Sequence, residues 1–209
     1  MFDILMAIIA IVILSPLFLA IWLSIKLGSK GPIIFKQQRA GKNGRPFVFY
    51  KFRTMKPDAE PFGPSPKSGQ DPRLTGIGRL LREYSLDELP QLFNVLRGDM
   101  SIVGPRPLYI SQISEWNENQ KKRLLVKPGL TGLAQIGGRA ELKREEKLDL
   151  DVKYVETATL LADIKIVFAT VAYVFKRKNI YEKSYSQTEY TRGSNKNQNV
   201  VSSNGARLK

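Results

Sequence analysis

Twenty-two consecutive uncharged residues, Ile4 to Ile25, constrain this 209-residue chain more than any other feature. As a straight helix they measure about 33 Å, enough to cross the hydrocarbon core of a bilayer. The run is too long for a secretory signal, and the residue in front of it is Asp3 rather than Lys or Arg. A buried core helix is the plainer alternative. Downstream come Lys26, Lys30, Lys36, Arg39, Lys42, Arg45, Lys51, Arg53 and Lys56, with no acid between Lys26 and Lys56. The positive-inside rule then places the body of the chain in the cytoplasm. Ser15-Pro16 falls in the middle of the run. Proline removes a helix hydrogen bond and clashes with the carbonyl four residues back. Two geometries follow: a mildly kinked spanning helix with Met1 outside, or a strongly bent re-entrant segment with both ends cytoplasmic. The residues alone leave both open.

Composition limits the chemistry. There is no Cys and no His, which excludes disulfides, thiolate or imidazole metal sites, a Cys nucleophile and a Ser-His-Asp triad. Carboxylates, Lys, Arg, Tyr, Ser and backbone groups remain. Lys+Arg 33 against Asp+Glu 19 leaves +14, so partners are anionic: nucleic acid, anionic lipid or phosphorylated small molecules.

Pro46 to Phe52 is aromatic and β-branched and reads as a strand. Residues 61–72 hold four prolines and two glycines and read as a surface loop. Thr75 to Tyr84 is a short helix. Ser85 to Leu96 is read as another, with Ser85 as N-cap, Glu88 at the capping-box position and Leu89, Leu92, Phe93 and Leu96 on one face. Gly104-Pro105-Arg106-Pro107 is a stiff turn. Ile110 to Val126 is expected to be helical, and Lys127 to Gly132 and Gly137 to Arg139 are expected to be turns. Ala140 to Phe175 carries a helical pattern broken near Glu156-Thr157. Its strongly apolar part, Leu160 to Phe175, ends in Lys176-Arg177-Lys178. It is either a core helix with a basic end or a helix lying in the membrane interface. From Glu182 the chain is polar and Ser/Asn-rich, the composition of a disordered tail.

Asp87-Glu88 is the chemical candidate. An acid pair at a helix start often does no more than complement the dipole. Here it stands among Arg82, Arg106 and the strand-end residues Lys51 and Arg53. Without His or Cys a carboxylate is the best nucleophile available. Attack on phosphate needs cations over the phosphate oxygens, and a second carboxylate can hold a divalent metal that bridges a leaving pyrophosphate. Acid pair, basic ring and membrane anchor together fit phosphoryl transfer onto a lipid carrier.

Four stretches carry a resemblance: Lys51 to Met55, Ser85 to Leu96, Gly98 to Pro107 and Lys127 to Gly132. In this order they resemble the bacterial sugar transferases, the small monotopic phosphoglycosyl transferases that start glycan assembly on polyprenol phosphate. The likeness runs from the apolar segment to about Lys178. It implies a mainly α fold with a short β element (an α/β class), divided into a re-entrant membrane helix hairpin broken at Ser15-Pro16 (1–30), a compact catalytic domain with interfacial amphipathic helices (31–183) and a polar tail (184–209). By the same resemblance Asp87 is the nucleophile on the β-phosphate of a UDP-sugar. Glu88 helps bind Mg²⁺, with Asp87, and positions the acceptor, undecaprenyl phosphate. Lys51, Arg82 and Arg106 hold phosphate, with Gln135 and Arg139 near the nucleotide. Implied too are UMP as leaving product, contact with anionic lipid at the cytoplasmic face of a bacterial inner membrane, and downstream glycosyltransferases. The loop at 61–72, the Gly137-Gly138 pair and the tail depart from the family pattern.

A membrane-tethered nucleic-acid binder also explains +14, with Phe47, Phe49, Tyr50 and Phe52 among basic residues as its platform. It leaves the acid pair unexplained. A non-catalytic membrane-surface protein explains anchor and charge and is indifferent to Asp87→Asn.

Overall fold

The computed structural model describes residues 2–59 and 66–176. The whole of the expected tail, the start of the proline-rich loop (61–65), and Arg177 and Lys178 lie outside them. The described chain is mainly helical with a small amount of sheet, as expected.

The apolar run forms α1 (Phe2–Gly28), a single helical element with Pro16 inside it. Pro16 has no N–H for the Val12 carbonyl, and the Ser15 hydroxyl donates to that carbonyl instead, at 2.8 Å. α1 lies along the body rather than projecting from it. Near its start Ala7 is fully buried with Phe47, Phe49, Leu92, Val95 and Met100. Near its end Ile21 and Ile25 pack with Phe52 and Leu81. Phe18 joins the two clusters, its ring centroid 5.6 Å from that of Phe52 and 5.9 Å from that of Phe93. The opposite face of α1 stays apolar and exposed, including Leu5, Val12, Ile13 and Leu27.

β1 (Ile34–Ala40) and β2 (Pro46–Phe52) form an antiparallel hairpin in register Ile34↔Phe52 to Ala40↔Pro46. Phe47 and Phe49 share a face with Lys51 by the two-residue period of a strand. α2 (Gly76–Glu83) follows the proline-rich loop, whose base is closed by a Met55–Leu74 bridge.

The single helix expected over Ser85 to Leu96 is instead a 3₁₀ turn, Leu86–Glu88, and a short helix α3 (Gln91–Leu96). Ser85 is no N-cap: it sits at φ 55°, ψ 21° and its side chain makes no cap bond. Pro90, which lacks an N–H, starts the second piece. α3 is tied to β2 by Asn94, which donates to the Val48 carbonyl at 2.7 Å and accepts from the Tyr50 N–H at 3.1 Å.

The expected turn at Lys127 to Gly132 contains a strand. β3 (Ser101–Val103) pairs in parallel with β4 (Gly129–Thr131). Glycine makes this approach feasible: a Cβ on Gly129 would fall 2.1 Å from the Gly104 nitrogen. The helix expected over Ile110 to Val126 is broken into a 3₁₀ turn (Ile110–Glu115), α4 (Glu118–Lys121) and a second 3₁₀ turn (Lys122–Leu125). Asn117 caps α4 in a capping box with Gln120, which restarts the chain after Trp116.

α5 (Leu133–Ile136), α6 (Arg144–Thr157) and α7 (Leu160–Lys176) complete the body. The break between α6 and α7 falls where the pattern put it. Ile166 is buried with Val103 and Tyr154. Leu161, Ile164, Phe168, Val171 and Phe175 form an exposed stripe along α7, and Phe168 is 73% exposed.

Candidate active site

Three local devices bring the acid pair and its cations together. The first is the start of α2. The Thr75 N–H donates to the Thr54 carbonyl at 3.0 Å, and the Thr75 side chain caps the Gly78 N–H at 2.9 Å. This pins α2 to the end of β2, so that the Arg82 Nε reaches the Thr54 Oγ1 at 3.0 Å. The second is Ser85. A non-glycine residue in the left-handed region costs about 1 kcal/mol or more, and here it reverses the chain after α2. Asp87 then points into the body, 7% exposed, and Glu88 points toward the next segment. The third is the Gly104–Pro107 turn after β3. It delivers Arg106 to Glu88 as a bidentate pair, Nη2 to Oε1 at 2.5 Å and Nη1 to Oε2 at 3.1 Å.

Asp87 accepts no hydrogen bond among the described residues. Burial pushes its carboxyl up to about 6, helped by the Glu88 charge and opposed by Lys51, Arg82 and Arg106. Lys51 is brought down to about 8 by desolvation first and then by Arg82, with Asp87 acting against both. Its ammonium lies 5.0 Å from the centroid of the Phe35 ring. The structure thus brings five of the expected site residues into one electrostatic cluster: Asp87, Glu88, Lys51, Arg82 and Arg106. A buried carboxylate with no donor on it, ringed by cations, suits attack on an anionic electrophile.

The other expected residues are placed differently. Gln135 lies in α5 with both amide atoms buried, and among the described residues they make no hydrogen bond, to the acid pair or otherwise. Arg139 opens the 3₁₀ turn Arg139–Glu141, and its side chain lies outside the described residues. Ser15 and Pro16 serve α1. Arg53, beside Lys51 in sequence, turns away to the end of α1, where it donates to the Ser29 carbonyl and hydroxyl at 2.9 and 2.7 Å.

Sequence reasoning missed three supports. Thr54 orients Arg82. Asp3 accepts from the Ser101 hydroxyl at 3.0 Å and from the Ile102 N–H at 3.1 Å, tying the first turn of α1 to β3. A lone acid before an apolar run was its only signal. Arg123 and Asp151, 4% and 3% exposed, form a buried pair behind Arg106. Both lie in charge-rich segments where nothing local distinguishes them. A groove of about 490 Å³, lined by residues that include Phe18, Trp22, Phe52, Pro90 and Phe93, opens between α1 and the body. Pro90 places it three residues from Asp87.

The sequence model of the family described as bacterial sugar transferase matches residues 1–177. The chain is 45% identical over 170 residues to the uncharacterized sugar transferase EpsL of Bacillus subtilis, covering 81% of this chain and 82% of that one. It is 40% identical to the exopolysaccharide production protein ExoY of Sinorhizobium fredii, covering 86% of each. It is also 42% identical to the UDP-glucose:undecaprenyl-phosphate glucose-1-phosphate transferase of Escherichia coli, over 86% of this chain and 40% of that longer protein.

Proposed function

Because the chain belongs to the bacterial sugar transferase family, we propose that it moves a phosphosugar from a UDP-sugar to undecaprenyl phosphate. The substrate classes rest on relatives whose names state them. The observation that carries the chemistry is Asp87: buried, without a hydrogen-bond donor among the described residues, and in the field of Lys51, Arg82 and Arg106. An Asp87 oxygen attacks the β-phosphorus of the donor. The bond from that phosphorus to the oxygen bridging the two phosphates breaks, and UMP leaves with the electron pair. The phosphosugar stays on Asp87 as an acyl phosphate. A phosphate oxygen of the polyprenol then attacks the same phosphorus, the bond to Asp87 breaks, and polyprenyl diphosphate-sugar departs with the carboxylate restored. Lys51, Arg82 and Arg106 neutralise the charge that builds on the phosphate oxygens.

Mg²⁺ fits this donor set as a cation shared with substrate. No cluster of three or more acidic ligands exists among the described residues, and Mg²⁺ is commonly held by one or two carboxylates plus substrate phosphates. Asp87 and Glu88 are the residues that would hold it, and bound there it would supply charge neutralisation on the departing nucleotide. Both Glu88 oxygens now take Arg106, so Glu88 would share an oxygen between metal and arginine.

The membrane side of the proposal rests on α1 and α7. Both ends of α1 touch the same body, Asp3 at β3 and Ile25 at Phe52 and Leu81. This supports the re-entrant geometry over one that leaves Met1 on the far side. The exposed apolar stripe of α7 supports an interfacial helix with its basic end on anionic headgroups. The body then faces the cytoplasm at the inner membrane, and the apolar groove beside Pro90 opens where a lipid acceptor arrives. The product would pass to glycosyltransferases that extend the glycan.

The test is UMP release by detergent-solubilised protein given Mg²⁺, undecaprenyl phosphate and a panel of UDP-sugars. Release that requires the lipid phosphate for turnover and falls about 10⁴-fold in Asp87→Asn is the expected result. A phosphosugar adduct found by intact mass on a protein lacking Asp87 would sink the assignment of the nucleophile.

A further inference from the structure

Arg106 grips Glu88 from a backbone that is itself held. The Pro105 carbonyl accepts the Gly129 N–H at 2.9 Å. The Arg106 carbonyl accepts Nη2 of Arg123 at 2.6 Å. Arg123 also donates Nε and Nη2 to Oδ2 of Asp151, at 3.1 and 2.7 Å. Its guanidinium carbon lies over the buried Trp116 ring, 4.8 Å from the centroid. The guanidinium is therefore fixed on three sides, and one nitrogen is directed at the residue whose side chain meets the acid pair.

Burying two charges is a poor way to gain stability. Desolvation costs several kcal/mol per ion, and an apolar pair of similar volume is often as stable or more so. An apolar pair, however, offers no donor to the Arg106 carbonyl. Asp151 cancels the Arg123 charge, so the device adds geometry without adding another cation beside the donor phosphates.

We propose that Arg123, braced by Asp151 and Trp116, is a positioning residue that fixes the Arg106 backbone so that the Arg106 guanidinium stays at the acid pair. Arg123 touches neither substrate nor the reacting atoms; it acts through Arg106. The inference deepens the phosphosugar-transfer reading and rests on it. A displacement of about 1 Å at a catalytic group can cost a hundredfold in rate, and lysine, with one nitrogen, cannot serve the Asp151 carboxylate and the Arg106 carbonyl in the same planar fork.

The experiment is a double-mutant cycle on the full chain: wild type, Arg123→Lys, Arg106→Lys and the pair. Asp151→Asn is a second route to the same bond, and Lys122→Gln, on an exposed ion pair with Glu156, is the surface control. Single-turnover UMP release is followed for hours so that slow variants stay measurable, and each rate is divided by the folded fraction from thermal unfolding. Arg123→Lys should lower the rate about 10- to 100-fold with donor KM changed less than about threefold. In the Arg106→Lys background it should cost less than about twofold. Asp151→Asn should follow Arg123→Lys, and Lys122→Gln should match wild type. Equal losses in both backgrounds, or a loss explained by the folded fraction alone, would overturn the proposal and leave Arg123 a structural residue. Should Arg123→Lys fail to fold, the same cycle run with Asp151→Asn decides by the same criteria. Wild type that releases no UMP from any donor would instead overturn the phosphosugar reading, and this inference with it.

Discussion

Asp87 is held in a form that burial disfavours once it ionises. Its carboxyl keeps its proton up to about 6, against a usual 3.8. The folded chain therefore binds that proton more tightly than the unfolded chain does. The stabilisation is full below the usual carboxylate range and is lost as pH rises through about 6. At neutral pH the ionised side chain costs the fold on the order of 3 kcal/mol. Asp87→Asn should thus raise the melting temperature by several degrees while abolishing turnover, which differential scanning calorimetry beside the UMP assay will show. An attacking carboxylate is the ionised form, so under the proposed reaction the donor half-reaction should fall about tenfold per pH unit below about 6. Under the same proposal Lys51 holds phosphate as an ammonium, which loses its proton near 8, so donor KM should climb above that. Lys51→Arg should keep the acidic limb and move the alkaline limb beyond the measured range; an alkaline limb unchanged in that variant would remove Lys51 from the assignment. These residues were legible because each sits in a motif with its own chemistry. Arg123 and Asp151 were not. Their roles come from burial across a separation of 28 residues, and neither position differs locally from a solvated charge.

At the scale of elements, β2, α2, α6 and α7 were readable because each has a clean pattern or a capping residue. The 3₁₀ turn at Leu86–Glu88 was not. Ser85 to Leu96 has the apolar spacing of one helix, and the decision to break it lies in a left-handed Ser85 and in Pro90. That break is what turns Asp87 inward. β4 escaped notice because three residues, Gly129-Leu130-Thr131, are too few to carry a strand signal, and their pairing with β3 depends on backbones that at Gly129 come close enough to exclude a Cβ. Gly78 shows the same economy of space. A Cβ there would lie 2.0 Å from the Thr54 carbonyl oxygen, against which α2 is pinned. Gly78→Ala should push α2 off β2, destabilise the fold by about 3 kcal/mol or more and carry Arg82 away from Thr54. Urea unfolding and UMP release measure the two effects; wild-type stability would mean that α2 shifts without loss.

For the molecule as a whole, charge and apolar surface act together. The +14 balance suits the proposed contact with anionic headgroups, while the outer faces of α1 and α7 offer side chains that water does not favour. The absence of cysteine makes topology directly measurable. A single thiol from Phe2→Cys, compared with Asn119→Cys on the body, should react with an impermeant reagent in inverted membrane vesicles and stay unmodified in intact spheroplasts. Reaction of the Phe2→Cys thiol in spheroplasts alone would establish a spanning helix. The bond from Asp3 to β3 also has a consequence for biosynthesis. The two partners are 98 residues apart in the chain. At about 5–20 residues per second, the ribosome delivers Ser101 roughly 5 to 20 s after Asp3. During that interval the apolar segment is already made while its acid has no strand to bind, so under the proposed membrane geometry the segment would enter the lipid first and dock on the body afterwards.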